Sequence, residues 1–216
     1  HAFDTETIIA PDYKHNSKLY TSFYNTLSSQ NKEVTYPEVG QEYEFGEGSF
    51  TVLGPTQIRD DSNNNSVVVR LDYGDTSFLF TGDAESKEEK DIIAANEDLD
   101  CDVLSVGHHG SASSTSWDFL EQVLPEYAVI SCGVNNSYGH PDPDTIEKLE
   151  SIEAQIFRTD LQGNIIAISD GETITWNNVP SNGEVLYAAD FVSVKEEPND
   201  TSSTVGELGP GNQIQV

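Results

Sequence analysis

The chain has 216 residues, 36% of them hydrophobic, which suits one principal domain with a packed core and a tail. Its 38 acidic residues against 10 basic ones give a formal net charge of −28, so the basic footprint of a typical nucleic-acid-binding domain is excluded. A polyanion would be repelled at low salt. The charge is typical of a salt-adapted protein, and an acidic patch that recruits cations to a site is the alternative.

The beginning of the chain predicts a fragment or a processed protein. It starts at His1, contains no methionine, and opens into a predicted strand over residues 3–9. No signal peptide is visible, so any export signal would be encoded upstream. We expect an extracellular or cell-surface location, in a salt-adapted organism. No run of about 20 apolar residues occurs, so we expect no membrane contact from this segment.

The first half of the chain predicts one helix followed by antiparallel strands. The helix spans residues 17–30, with Leu19, Phe23 and Leu27 on one face. Two short strands follow, interrupted by glycines. Two nearly continuous apolar strands joined by a tight turn then predict a hairpin in the middle of a sheet. The four predicted strands span residues 33–45, 49–53, 66–72 and 76–80.

The second half predicts alternating helices and strands, which together with the hairpins favours sheets faced by helices. Ser86 and Glu89 have the spacing of a capping box for the first of these helices. Asp142 is the expected cap of a helix that has Pro143 at its first position. The predicted helices span residues 86–96, 116–123 and 143–152, and the predicted strands 102–106, 127–131, 156–158, 164–169 and 173–176.

The composition changes at residue 177, where Pro, Gly, Ser and Asn become frequent. We therefore divide the chain into a domain over residues 1–176 and a linker or tail over residues 177–216, which would lead to a further domain. Residues 184–195 could form one strand of the tail. The two cysteines, Cys101 and Cys132, are in no CxxC pair and are expected to be small buried side chains.

Ionisable side chains follow three of the apolar strands, at positions where a rigid sheet can hold them while loops leave them accessible. Asp83 follows the strand over residues 76–80, and His108 with His109 follows the strand over residues 102–106. His140 comes after the next strand. Each residue has a structural alternative, namely a turn or helix cap for Asp83, a solvated turn for the histidine pair and a helix cap for His140. Their shared kind of position favours a common site.

Three motifs in this order resemble the C-terminal metallo-β-lactamase domain of ComEC-type competence proteins, which take up DNA. They are Thr-Gly-Asp at 81–83, Gly-His-His-Gly-Ser at 107–111 and Tyr-Gly-His-Pro at 138–141. The segment over residues 64–85 also resembles that domain closely. The resemblance extends over residues 3–176, and neither a serine-hydrolase elbow, a P-loop nor a dinucleotide fingerprint competes with it.

The resemblance implies an α/β (α+β) fold, the four-layer αββα sandwich, with two divalent ions, zinc or manganese, at one edge. Asp83 matches the carboxylate that bridges the metals. The spacing is similar to that of the tRNase Z branch, which implies that His140 binds metal and that His108 or His109 protonates the leaving oxygen. His108 is preferred because it directly follows Gly107. Asn64 and Ser111 are further candidates; Asn64 lies where many relatives have a metal-binding histidine.

The chain departs from the family in one respect: the signature His-x-His/Asp-x-Asp-His is absent. We expect the domain to be incomplete at its N-terminus, so that this chain alone would bind metal weakly and be inactive. The alternative is a true loss of the motif in a non-catalytic relative.

The resemblance therefore predicts a metal-dependent phosphodiesterase or nuclease that uses metal-activated hydroxide. DNA is the substrate that the ComEC likeness favours. A small phosphodiester, such as a phosphocholine ester, is the substrate that the acidic surface favours. A function of a different class is a non-catalytic binding or structural module. The oligomeric state is not predicted.

Overall fold

The centre of the molecule is a seven-stranded sheet in the order β1-β2-β3-β4-β5-β6-β7. The computed structural model describes residues 5–95 and 98–183, together with the backbone of four short strands in the tail. The strands of the sheet are β1 (Glu42–Phe45), β2 (Gly48–Gly54), β3 (Val68–Tyr73), β4 (Thr76–Phe80), β5 (Val103–Ser105), β6 (Tyr127–Ile130) and β7 (Gln155–Arg158).

The sheet changes from antiparallel to parallel pairing at β4. The strands β1 to β4 form successive antiparallel hairpins, whereas β4, β5, β6 and β7 are parallel neighbours. The turn between β3 and β4 has two residues, and Gly74 supplies the positive φ of 59° that such a tight turn requires. The predicted central hairpin and the later strand–helix alternation are both confirmed.

The second, third and fourth helices pack on one face of the sheet and bury most of the core against it. The helices are α1 (Lys18–Ser29), α2 (Ser86–Ala95), α3 (Trp117–Val123), α4 (Pro143–Ser151) and the single turn α5 (Thr159–Gln162). Leu79, Leu104 and Ile156 of the sheet pack in one cluster with Phe119 of α3 and Leu149 of α4. Helix α4 starts as predicted, since Asp142 accepts from the Asp144 amide and Pro143 is the first helical residue.

The opposite face of the sheet is also apolar, because alternate strand residues point to it. A short hairpin of β8 (Ala167–Ser169) and β9 (Ile174–Trp176) covers part of this face. The ring of Trp176 stacks on Phe157 with centroids 4.1 Å apart. Leu71, Phe78 and Val129 line a neighbouring cavity of about 550 Å³. A large sheet with helices on one face and strands on the other agrees with the predicted mixed α/β sandwich.

Three predictions for the first half of the chain are wrong in detail. Leu27 of α1 is buried, but Leu19 is 83% exposed and Phe23 43% exposed, so the expected apolar face of α1 does not pack. The strand expected over residues 33–45 is formed only at Glu42–Phe45. Pro37 lacks the amide that a ladder needs, and Gly40 has φ 83°. Of the strand expected over residues 3–9, only an Ile9–Thr35 bridge is present in the described part.

The predicted capping box of α2 is also wrong. Glu89 does not return to the amide of Ser86, which donates instead to the Ser113 carbonyl. The buried Glu89 carboxylate accepts from the backbone amides of Thr115 and Ser116, just before α3. Ser86 and Glu89 have the sequence spacing of a capping box, but the Glu89 side chain instead connects α2 to the start of α3.

Both cysteines are free and packed as expected, with Cys101 buried and Cys132 half-buried. Desolvation raises the pKa of the Cys101 thiol to about 12 and that of the Cys132 thiol to about 11, so neither is a reactive thiolate at neutral pH. Among the described residues no helix is long and apolar enough to cross a membrane.

The tail contains short paired strands, β10 (Val185–Tyr187) with β13 (Gln213–Gln215) and β11 (Val192–Lys195) with β12 (Thr204–Leu208). The single strand expected over residues 184–195 is therefore two strands, and residues 184 and 188–191 lie outside the described residues. The domain boundary at residue 176 stays a prediction.

Candidate metal centre and active site

Three loops that follow neighbouring parallel strands form the candidate site. Strand β4 is followed by Asp83, β5 by the His108–His109 pair, and β6 by the loop that contains His140. Since β4, β5 and β6 are parallel neighbours, their carboxyl ends lie at one edge of the sheet. This topology explains why residues up to 57 positions apart in the sequence (140 − 83) lie together.

The backbone of the histidine loop is held in an unusual conformation. His108, His109 and Gly110 have φ values of 49°, 59° and 83°. Left-handed conformations cost about 1–2 kcal/mol for each non-glycine residue, so two in succession need support from the surrounding structure. A Cβ on Gly110 would lie 2.7 Å from the Cβ of Pro141. Glycine therefore lets this loop lie directly against the loop that contains His140.

His109 faces Asp83. Its Nε2 lies 3.6 Å from Asp83 Oδ1, and its Nδ1 lies 2.7 Å from the carbonyl oxygen of Ser131. A carbonyl can only accept, so Nδ1 carries a proton, and Nε2 is the ring nitrogen that faces Asp83. A backbone carbonyl that holds the second ring nitrogen in this way is characteristic of metal-binding histidines.

A hydrogen-bonded support positions Asp83 from behind. Its backbone amide donates to the hydroxyl of Ser66 over 3.0 Å, and the Ser66 amide donates to Oε2 of Glu88 over 3.2 Å. Glu88 is fully buried on α2, and desolvation raises the pKa of its carboxyl to about 8. The Asp83 loop is thereby tied to the core through a buried carboxyl group.

His108 faces a different carboxylate. Its Nδ1 lies 3.5 Å from Glu85 Oε1 and 3.3 Å from the hydroxyl of Ser113. The Ser113 hydroxyl donates to the same Glu85 oxygen over 3.1 Å. Because the Ser113 proton is used toward Glu85, the Ser113 oxygen accepts from His108, so Nδ1 of His108 carries a proton and Nε2 takes no part in this contact.

Asn63 and Asn64 complete the surroundings of Glu85. Both side-chain amides donate to its carboxylate over 3.2 Å. The backbone amide and the side-chain amide of the buried Asn64 both donate to Asp61, which lowers the pKa of that carboxyl. The side-chain oxygen of Asn64 accepts from the Glu88 amide. Both ends of the Asn64 amide are thus engaged within the protein, and a part of Asn64 in binding metal stays a prediction.

His140 and Ser111 lie beside these groups. The rings of His140 and His108 are 5.7 Å apart, and Tyr138 lies parallel to His140 with centroids 5.8 Å apart. The Ser111 hydroxyl is 3.0 Å from that of Ser113. Ser111 therefore contacts Ser113, which in turn contacts Glu85, and Ser111 does not itself face the cleft.

The donor chemistry at Asp83 and His109 fits a divalent metal ion. Two ligands at 2.0–2.1 Å with a tetrahedral angle lie about 3.3 Å apart, close to the 3.6 Å between Asp83 Oδ1 and His109 Nε2. Within the described residues no three His, Cys, Asp or Glu side chains are grouped to hold an ion. The described residues thus offer two neighbouring donor atoms at this position, whereas zinc usually takes three or four protein ligands.

Comparison with known proteins identifies the family. Residues 5–134 match the model of the metallo-β-lactamase superfamily, and this is more than half of the chain. The chain therefore belongs to the metallo-β-lactamase superfamily. The matched range includes Asp83, His108 and His109, whereas His140 lies beyond it.

The similar curated proteins are of the ComEC type, as the motifs indicated. ComE operon protein 3 of Bacillus subtilis is 38% identical over 117 residues, which is 54% of this chain and 15% of that protein. Competence protein ComA of Neisseria gonorrhoeae is 36% identical over 125 residues, 57% of this chain and 18% of that protein. Recombination protein 2 of Haemophilus influenzae is 37% identical over 133 residues, with shares of 61% and 16%. The chain spans less than a fifth of the length of these relatives.

The structure adds residues that sequence reasoning did not single out. Glu85 and Ser113 complete the surroundings of His108, and Ser131 fixes His109 through its carbonyl. Glu85 has the acidic character of a helix start, and Ser113 lies in a serine-rich loop. A contact made by a backbone carbonyl, as at Ser131, does not depend on the side chain and so cannot be read from the sequence. The one sequence signal for these residues is that Glu85 lies two positions after Asp83.

Proposed function

We propose that this chain carries part of the active site of a metal-dependent phosphodiesterase that acts on DNA. The observation that supports it most is the division of work between two adjacent histidines, one facing Asp83 and one facing Glu85. Divalent ions bound beside Asp83 would polarise a phosphoryl oxygen and lower the pKa of a bound water. Asp83 and His109 would hold that metal, and His140 remains a further candidate ligand.

His108 has the surroundings of a proton donor. The carboxylate of Glu85 beside Nδ1 stabilises a cationic imidazolium, and the hydrogen bond to Ser113 fixes the plane of the ring. Nε2 would then release its proton to the leaving oxygen of the phosphodiester. Such a donor contributes about 10²–10⁴-fold in rate, because an alkoxide is a poor leaving group.

DNA is favoured as the substrate by the relatives. One of them is named for competence and one for recombination, which are processes that handle DNA. A small phosphodiester, such as a phosphocholine ester, is the second candidate, and the net charge of −28 favours it, since a long polyanion is repelled unless salt screens the charge.

The experiment compares three histidine variants in the natural gene product that carries this chain. His108→Asn should lower kcat by about 10²–10⁴-fold with little change in KM and with metal content unchanged. His109→Asn should lose bound metal together with activity. His15→Asn is the matched control, because His15 lies outside the candidate site near the start of α1. Metal content is measured by mass spectrometry. Hydrolysis is assayed with single-stranded DNA and with a base-free phosphodiester as substrates.

Two results would contradict the proposal. A wild-type protein that binds metal but hydrolyses neither substrate would indicate a non-catalytic module. Full activity in His108→Asn would show that the ring only fills a solvated turn.

For the isolated 216-residue chain, calorimetry with zinc or manganese should show only weak binding, because one edge of the site is present.

A further inference from the structure

Tyr138 is the most prominent aromatic side chain at the candidate site. It is 82% exposed, although burying such a ring is ordinarily favourable. One of its faces lies toward His140, at an interplanar angle of 11° and a centroid distance of 5.8 Å. The other face is open to solvent. His140 is in turn 5.7 Å, between ring centroids, from His108, which we assign to the reaction.

The position of Tyr138 is fixed by the loop that carries it. The side-chain oxygen of Asn136 accepts from the amides of Tyr138 (3.2 Å) and His140 (3.0 Å). Its amide group donates to the carbonyls of Gly133 and His140 over 3.0 and 2.6 Å. One asparagine thus holds the turn closed from both sides, so the exposed ring is presented in a defined place.

A cavity connects this ring to the reacting groups. Its volume is about 330 Å³, at the lower end of the range of about 300–1,000 Å³ that is usual for small-molecule sites. None of its lining residues is a lysine or an arginine, so no permanently cationic side chain faces it. The lining residues are His109, Ser131, Cys132, Gly133, Asn136, Tyr138 and His140.

We propose that Tyr138 and this cavity form a stacking subsite for a nucleobase of single-stranded nucleic acid, next to the phosphate that is cleaved. The inference rests on the proposed function and specifies its substrate. An open aromatic face binds any base, because every base has a π-face. With a net charge of −28, the chain gains little from phosphate contacts, and stacking supplies attraction that charge repulsion does not cancel.

The same geometry makes the subsite indifferent to base identity. Reading a base requires free donors and acceptors toward its edge. The Asn136 amide is engaged by four backbone groups, and the Ser131 carbonyl is engaged by His109. Stacking without edge recognition should therefore accept purines and pyrimidines alike.

The test compares a tetradeoxynucleotide with an abasic tetramer of the same phosphate number, bound to the intact protein at 1 M salt. Salt at this concentration shortens the Debye length to about 3 Å and suppresses long-range repulsion. Wild-type protein should prefer the base-containing tetramer by roughly 10-fold. Tyr138→Ala should abolish that preference, and Tyr138→Trp should retain or increase it. Phe45→Ala is the control, since Phe45 is an exposed aromatic on β1, at the other edge of the sheet.

Several results would overturn the subsite. The first is a preference for the base-containing tetramer that persists in Tyr138→Ala, and the second is the absence of that preference in the wild type. The third is a Tyr138 ring that contributes to the binding of choline esters but not to the binding of bases. Unchanged thermal unfolding of Tyr138→Ala confirms that the comparison concerns binding. The proposed function fails separately: base-dependent binding without hydrolysis leaves the subsite intact and refutes the phosphodiesterase, whereas hydrolysis without base preference does the reverse.

Discussion

His108 and His109 are neighbours in the chain, but their surroundings are opposite. His109 donates a hydrogen bond from Nδ1 to the Ser131 carbonyl, and its Nε2 faces Asp83. In His108 it is Nδ1 that faces the carboxylate of Glu85 and the hydroxyl of Ser113. The left-handed backbone at both residues separates the two rings, whose centroids are 6.3 Å apart. One turn therefore supplies a ring that faces Asp83 and a ring that faces Glu85.

The charge of Glu85 should determine the tautomer of His108. In Glu85→Gln an amide replaces one acceptor of the Nδ1 proton, and the Gln amide can donate to Nδ1 instead. We expect wild-type His108 to keep a proton on Nδ1 beside Glu85, so that it donates from Nε2 as the imidazolium, and we expect the variant to favour the neutral Nε2–H form, which is a much weaker acid. Imidazole ¹⁵N chemical shifts measure this directly, and kcat of the intact protein should fall with it.

The matched control for this prediction is Glu121→Gln, which changes an exposed carboxylate on α3. An unchanged His108 spectrum in Glu85→Gln would show that Ser113 alone fixes the ring. Glu85 would then be a structural residue of the Asn63–Asn64 turn.

At the scale of elements, helix α2 connects the site to the core through two buried carboxyl groups. Glu89 binds the amides at the start of α3, and Glu88 supports Ser66 behind Asp83. Glu88 Oε1 has no hydrogen-bond partner among the described residues. Its ionised form is therefore poorly compensated, which is why burial raises the pKa of Glu88 to about 8.

This pKa makes the stability depend on pH in a stated direction. The folded protein holds a proton on Glu88 that the unfolded chain releases near pH 4.5. The stabilising contribution is complete below pH 4.5 and is lost as the pH rises to about 8, by a few kcal/mol at most. Relative to Glu88→Gln, the wild type should therefore lose unfolding free energy between these values.

Urea unfolding at several pH values measures this difference. Glu147→Gln on α4 is the control, because its carboxylate is exposed and the substitution should leave the pH profile parallel to that of the wild type. A parallel profile for Glu88→Gln as well would mean that Glu88 is ionised in the folded protein.

The same elements show how far the sequence leads. The apolar runs at residues 76–80 and 102–106 were located to within one or two residues, because burial on both faces leaves a continuous signal. The strand ends then indicated Asp83 and the histidines. The α1 face and the Glu89 contact were missed because they depend on which elements pack together, and spacing along one element does not record this.

At the scale of the whole molecule, the excess of acidic residues is the dominant physical property. The 38 acidic residues face only 10 basic ones, and several of the basic ones are already paired, as Arg70 is with Asp72 and Asp98. Most carboxylates therefore repel one another across the surface. Self-repulsion of this kind destabilises the compact state, and the unfolded chain relieves it by expanding.

Salt should consequently stabilise this protein. Raising sodium chloride from 0.1 to 1 M shortens the Debye length from about 10 Å to about 3 Å. We expect the unfolding free energy to rise by an amount on the order of 1 kcal/mol or more, in line with screening of a large net charge. A triple variant, Glu121→Gln, Glu147→Gln and Glu150→Gln, removes three exposed charges and should gain stability at 0.1 M while responding less to salt. Thermal unfolding at both concentrations is the measurement. A stability that falls with salt would show instead that attractive ion pairs outweigh repulsion, and the salt-adapted interpretation of the composition would then be wrong.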